Sequence, residues 1–511
     1  MKQPKEMSLI EKIGKKIPDP AILFMILYAI VITLSVFMGG MQFGQQLVDG
    51  EIVPFQIQNM LSGENIRWIY SNALLANWLG YGGGVLGVIL IIMFGIGMAE
   101  DSGLLSTLIK KAGMNVSDKF LPVLLVFLGI LSNIASDAGY IVLVPLAGLL
   151  YAGMKKNPLI GMVAAFAGVS AGFSANLIPA ATDVIVGENA QIFAANQNVP
   201  FVSATGAPLD PALMNYYFVF LSTFILAAVG GIVTIKVVQP KLEKESYIIP
   251  KDLHLDDFAI KPEENKALGA AGLGLIVALI YLAVLYMGPL APYYNEAGVK
   301  VNPFTSNIIL MITALFFVPG LFYGVAIKKY TNSGQVIQAL ARQVGSMGYV
   351  LVLTFFSYNF LAMLTRSGIG TYITFLGATG LENLGFADYP TLLIIGFILT
   401  TALINLFVGG LSSKWLLLGP IFIPMLYQVH PSMTPDLVAA AYRVADSSTN
   451  IITPMMSYAG VVLSYMRKYK PEFTIGDLIR TMFPYSIAFL IIWTTLLIIF
   501  FQLGIPLGPT A

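Results

Sequence analysis

The chain has 511 residues, of which 57% are hydrophobic and 11% charged, with a mean hydropathy of +0.79 and a formal net charge of +1. Ordinary soluble domains are about 45–50% apolar, so water is not this chain's main solvent, and no nucleic-acid partner is expected. The absence of cysteine excludes disulfides and thiolate metal sites, and the only histidines, His254 and His430, fall in predicted loops.

Five lysines, Lys2, Lys5, Lys12, Lys15 and Lys16, precede the first apolar run. That run lacks a clear small-residue cleavage site, so it reads as a transmembrane helix and not a signal peptide. Crossing a hydrocarbon core of about 30 Å takes about 20 apolar residues. Such runs recur near 20–39, 83–100, 158–190, 215–237, 267–287, 304–326, 345–365, 435–466 and 482–504, nine in all. Two further apolar segments, 120–154 and 391–428, are interrupted by Ser132, Asn133, Ser136 and Asp137, and by Ser412, Ser413 and Lys414. Each reads as a re-entrant hairpin of two limbs too short to cross singly. The longest hydrophilic stretch, Lys236 to Lys266, reads as a solvated linker between two halves.

With both hairpins entering and leaving on one side, 23 of the 28 Lys and Arg residues fall on the side of the N-terminus. The positive-inside rule makes that side cytoplasmic and puts the C-terminus outside. The expected architecture is therefore an all-α, multi-pass protein of a bacterial inner membrane.

The halves resemble each other. Ile141–Pro145 matches Leu416–Pro420 and Val163–Ala165 matches Val438–Ala440, both at an offset of 275, and Ser174-Ala175-Asn176 matches Ser448-Thr449-Asn450 at 274. The first repeat, 1–237, holds four spans and the 120–154 hairpin. Residues 238–303 hold the linker and one odd helix, and 304–511 hold the second repeat with the 391–428 hairpin. The odd helix inverts the second copy. Inverted repeats with discontinuous helices near mid-membrane are a recurring design of secondary transporters.

Two spans carry polar breaks before a proline, at Gly172–Pro179 and at Asp446–Pro454. Freed carbonyls and the oxygens of Ser132, Asn133, Ser174, Asn176, Ser412, Ser448 and Asn450 are the expected ligands of a sodium ion. Ionisable residues at bilayer depth are costly and point to function. Asp137, Asp183 and Asp446 are the candidate coupling carboxylates. Arg443 and Asp446, three apart, share a helix face and can pair; alternatively the planar fork of Arg443 receives a substrate carboxylate. Asp183 either contacts proton or substrate, or caps a half-helix. Trp415 suits stacking on an aromatic substrate or anchoring at the interface. Apart from a coupling proton or sodium, no cofactor or metal is expected.

Gly168-Val169-Ser170-Ala171-Gly172 fits the pattern of a serine nucleophile elbow, but it lies inside a predicted membrane helix with no histidine at bilayer depth. Small residues for close helix packing explain it better than a hydrolase. No phosphate loop and no H-E-x-x-H motif occurs. A transporter is expected, not an enzyme.

Several stretches together resemble the aminobenzoyl-glutamate transporter (AbgT) family nearly end to end: Glu11-Lys12-Ile13-Gly14, Leu131–Asp137, Phe173–Leu177, Lys414-Trp415, and Ala441–Ser447 leading into Thr449–Pro454. The resemblance implies a homodimer of nine-helix, two-hairpin subunits, with a hairpin-bearing transport region and a dimerising scaffold. It implies movement of p-aminobenzoyl-glutamate and, in some members, export of sulfonamide-like antimetabolites. It places important positions on Asp183, Asn405, Trp415, Arg443 and Pro454. The chain departs from the family pattern at Met455–Gly460, where further prolines are common, which bears on substrate choice. A sodium-coupled dicarboxylate carrier of similar architecture is the alternative.

Overall fold

The computed structural model describes residues 20–48, 51–80, 85–113, 120–135, 139–249, 260–294, 300–301, 303–346, 348–406, 410–453 and 458–510. Asp137 and Pro454 lie outside these. Helices dominate. In chain order they are α1 (Pro20–Phe37), α2 (Gly63–Asn72), α3 (Val85–Ser102), α4 (Leu104–Gly113), α5 (Leu121–Ser132), α6 (Val144–Gly153), α7 (Pro158–Ala171), α8 (Ala181–Ala195), α9 (Tyr216–Val233) and α10 (Pro262–Met287). The second half adds α11 (Ile308–Ala326), α12 (Ser333–Ser346), α13 (Gly348–Arg366), α14 (Ile369–Asn383), α15 (Pro390–Asn405), α16 (Leu411–Val429), α17 (Pro435–Asn450), α18 (Ala459–Tyr469) and α19 (Ile475–Gln502). An antiparallel pair, β1 (Gln42–Val48) and β2 (Glu51–Gln56), follows α1; its glutamine-rich sequence gave no apolar run to detect.

Among the described residues, five helices are long and apolar enough to cross a membrane: Pro20–Phe37, Tyr216–Leu242, Pro262–Met287, Ile309–Ala326 and Ile475–Gln502. α10 is the plainest case. Its 26 residues extend roughly 39 Å at about 1.5 Å per residue, and Leu273, Ile276, Leu279 and Ile280 are exposed along it. An exposed aliphatic surface of that length is stable against lipid and not against water.

α10 packs on α11, and α11 on α3, around a small core of Ala99, Leu104, Ala267, Ala271 and Tyr323. Asp101, near the C-terminal end of α3, ties this layer to α12 and the connection before it, accepting from Tyr330 Oη at 2.8 Å and Arg342 Nη2 at 3.0 Å. Burial pushes the Asp101 carboxyl up, but these donors and Lys329 outweigh it and hold the group below the usual carboxylate range.

A second, larger core gathers α5 to α9 and α14 to α19. Its centre is α7, all 14 residues of which are buried, as expected for a helix apolar on every side. Gly168 of α7 meets α5 so closely that an added Cβ would strike the Val126 carbonyl and lie 2.9 Å from Gly129 Cα. Of the serine-elbow glycines, Gly168 thus serves backbone contact and Gly172 makes room for the Ile130 side chain.

The two interrupted segments differ from each other. The limbs of 120–154 are α5 with the 3-10 turn Asn133–Ala135 and α6 with the π-helical Gly139–Leu143 before it, 15 residues each (121–135 and 139–153), and so short of the roughly 20 that a crossing takes. In 391–428 the second limb, α16, runs to 19 residues, so the argument from limb length holds for the first segment and fails for the second. The break in that second segment also lies earlier than its polar residues suggest. α15 ends at Asn405, Gly410 takes φ +80°, and Ser412, Ser413 and Lys414 open the first turn of α16. A positive φ is nearly free for glycine and costly for serine or lysine, so the reversal falls before them.

Candidate functional site

The site forms where both interrupted spans meet. Between α7 and α8 the chain is non-helical from 172 to 180, where Pro179 supplies no backbone donor. The extended Ala180 then starts α8, and its backbone N–H donates to Asp183 Oδ2 at 2.6 Å. Asp183 does cap the half-helix, and its charge sits favourably at the positive helix end. In the second half, α17 ends at Asn450 and helix resumes at Ala459.

Beyond Asp436 in its first turn, α17 carries Arg443 and Asp446, both buried, and these two do not pair with each other. Arg443 forms an ion pair with Asp183 from the other half of the chain, and Lys414 forms one with Asp446. The expectation of an Arg443–Asp446 pair is therefore corrected: each has a partner on another element. Arg443 Nη2 also donates to the Ser174 carbonyl at 3.0 Å. Asn405 Oδ1 accepts from Lys414 Nζ, while its Nδ2 donates to the Asp446 carbonyl at 2.7 Å and to Thr449 Oγ1 at 2.8 Å. Asp183, Arg443, Lys414 and Asp446 are all at least 94% buried at the side chain. Charges so desolvated stay ionised only when closely paired.

Trp415 is fully buried. Its indole N–H donates to the Val186 carbonyl at 2.9 Å, and its ring lies 4.7 Å from that of Tyr442 and 5.8 Å from that of Phe193. In this conformation it stacks on the protein, and so joins α8, α16 and α17.

Of the expected ion ligands, three present free oxygens. Ser174 Oγ, Asn176 Oδ1 and Ser448 Oγ are buried without hydrogen-bond partners, and the Ser174 backbone N–H donates to Ser447 Oγ at 3.2 Å, joining the two breaks. Ser174 and Asn176 lie on unwound backbone, whereas Ser448 sits in the last turn of α17, so the second break begins only after Asn450 and not at Asp446 as the sequence suggested; uncharged oxygens at such helix ends suit a monovalent cation. The others are differently engaged. Ser132 Oγ and Asn133 Nδ2 donate to carbonyls in the last turn of α5. Asn450 Nδ2 donates to Ser170 Oγ at 3.1 Å, and Ser412 lies half-buried at the start of α16. No cluster of three His, Asp or Glu side chains that could hold a metal ion occurs among the described residues.

Lys414 and Thr449 are central here, yet position alone did not mark them as site residues. The available signal was a lone lysine at bilayer depth in one half and a lone excess aspartate in α17. Ser170 is fully buried inside α7, while His430 bonds Ser432 Oγ at 2.7 Å in a distant loop. Ser170→Ala is expected to retain transport within about twofold, as a packing serine should, in an uptake assay; loss of all activity would revive the hydrolase.

Known proteins resemble this chain over nearly its whole length. The model of the AbgT putative transporter family matches residues 5–511. The p-aminobenzoyl-glutamate transport protein of Escherichia coli K12 is 29% identical over 516 residues, covering 98% of this chain and 95% of that protein. The YdaH transporter of Alcanivorax borkumensis superposes with a TM-score of 0.85 at 33% identity, over 96% of this chain and all of that one. MtrF of Neisseria gonorrhoeae, described as illuminating a class of antimetabolite efflux pumps, gives 0.85 at 34% identity over 98% and 99% of the two chains. The family model spans nearly the whole chain and both solved transporters superpose along its length, so the chain belongs to the AbgT family of membrane transporters.

Proposed function

We propose that this chain is an ion-coupled secondary transporter of amphipathic aromatic carboxylates, with p-aminobenzoyl-glutamate as the leading cargo and sulfonamide-like antimetabolites as related ones. The observation that carries the reading is the Asp183–Arg443 pair. A buried guanidinium held by a carboxylate can release it to another carboxylate once the first is protonated. Protonation of Asp183 would free Arg443 for the substrate, while Ser174, Asn176 and Ser448 offer oxygens to a sodium ion. Trp415 and Asn405 would contact the substrate after the second hairpin moves.

On this reading the chain is a homodimer of nine spans and two re-entrant hairpins in inverted repeats 1–237 and 304–511. The N-terminus is cytoplasmic and the C-terminus outside. The hairpin region moves against a dimerising scaffold that includes α10. The packed aromatic cluster of Trp415, Tyr442 and Phe193, once parted by that movement, would favour an aromatic ligand over a small dicarboxylate.

Proteoliposomes loaded with separate sodium and proton gradients test it. Uptake of labelled p-aminobenzoyl-glutamate under either gradient is the expected result, with a 100 mV potential adding about 2.3 kcal/mol per charge moved. Succinate uptake in its place would favour the dicarboxylate carrier.

A further inference from the structure

Two cavities lie along α17. The larger, about 310 Å³, is where α15 begins and α16 ends, and its walls include Pro390, His430, Asp436, Phe500 and Leu507. It therefore lies beside the C-terminal segment. The smaller, about 10 Å³, lies against Asp183 and Arg443 and is also lined by Met214, Asn215 and Tyr216. That volume fits about one water. Asp436 and Arg443 are seven residues apart, on one helix face and roughly 10 Å from each other along the axis.

Asn215 stands between the two. Its Nδ2 donates to the Asp436 carbonyl at 2.8 Å, and the residue is part of the wall of the smaller void. Three buried polar atoms on this line have no protein partner: Asp436 Oδ1, Asn215 Oδ1 and Arg443 Nε. Asp436 and Asn215 are each 3% exposed. Buried polar groups are almost always bonded, and where protein offers no partner, ordered water does. Asp183 and Arg443 are the charged groups on the small void; Asp436 and His430 are the titratable groups on the large one.

We propose that Asp436 and Asn215 form a hydrated access line, leading water from the cavity beside the C-terminal segment to the Asp183–Arg443 pair. Asp183 then exchanges its proton with that side of the membrane. This last step rests on the reading of Asp183 as a proton-exchanging carboxylate. An amide suits the neck of such a line, because it both donates to and accepts from water without fixing a charge there.

Radiolytic hydroxyl-radical footprinting of the full chain in nanodiscs tests the line without reference to transport. Met214 is only 2% exposed, yet it lines the small void, whereas Met162 and Met482 are fully buried elsewhere. Ordered water beside Met214 should make it oxidise about tenfold faster than those two. Asn215→Leu should lower that rate about fivefold and slow proton-driven uptake about as much, and Asn215→Ser, which leaves room for water, should restore both. Met214 oxidising as slowly as Met162 and Met482, or unchanged in Asn215→Leu, overturns the line. Rapid Met214 oxidation together with wild-type uptake indifferent to a proton gradient overturns the proton reading of Asp183 instead.

Discussion

Asp183→Asn is expected to abolish gradient-driven uptake while leaving p-aminobenzoyl-glutamate bound at least as tightly as in the wild type. Asparagine keeps the size and the bond from the Ala180 N–H, but cannot neutralise Arg443. An uncompensated buried charge costs about 3–5 kcal/mol, which a substrate carboxylate can relieve by taking the place of Asp183. At about 1.4 kcal/mol per factor of ten, turnover that depends on releasing that carboxylate should fall more than about 100-fold. Calorimetric titration together with proteoliposome uptake separates the two effects. Weak binding and lost uptake together would make Asp183 a fold-supporting residue only, and uptake preserved would remove it from the cycle.

The second large effect concerns Lys414. Lys414→Met leaves Asp446 without its cation in a fully buried setting, and a loss of about 3–5 kcal/mol is expected, read as a lower melting temperature of the purified protein. Adding Asp446→Leu removes the stranded carboxylate and should recover most of that loss, because replacing a whole buried pair by apolar groups is often neutral. A double variant as unstable as the single would show that packing around the lysine stem, and not its charge, is what matters. Transport should be lost in both, since Asn405 Oδ1 then lacks its donor, although its Nδ2 keeps the Asp446 carbonyl and Thr449 Oγ1.

Hydropathy and charge located the long apolar helices well, because burial in lipid demands about 20 apolar residues regardless of what the helix touches. α10 and α19 were legible for that reason. The 42–56 hairpin and the amphipathic α12 were not, since nothing in their composition competes with the spans around them. The same contrast holds inside the site. Asp183, Arg443 and Asp446 stood out because any charge at depth must be explained. Their pairing did not, because sequence separation favours the neighbour at i+3, whereas Arg443 finds Asp183 260 positions away. Trp415 was read from position as stacking on an aromatic substrate or anchoring at the interface. Its indole is instead enclosed by Phe193 and Tyr442, contacts that no local pattern announces.

α17 also constrains how the protein is made. On an insertion scale, an arginine or aspartate at a helix centre costs about 2.5–3.5 kcal/mol each, and this helix carries Arg443 and Asp446 with few strongly apolar residues to offset them. It cannot enter the bilayer on its own merits. Both of its partners, Asp183 and Lys414, precede it in the chain and so leave the ribosome first. The first half of the chain and the α15–α16 segment therefore act as the receptor on which α17 packs, which makes its docking a late, assembly-driven step of biosynthesis.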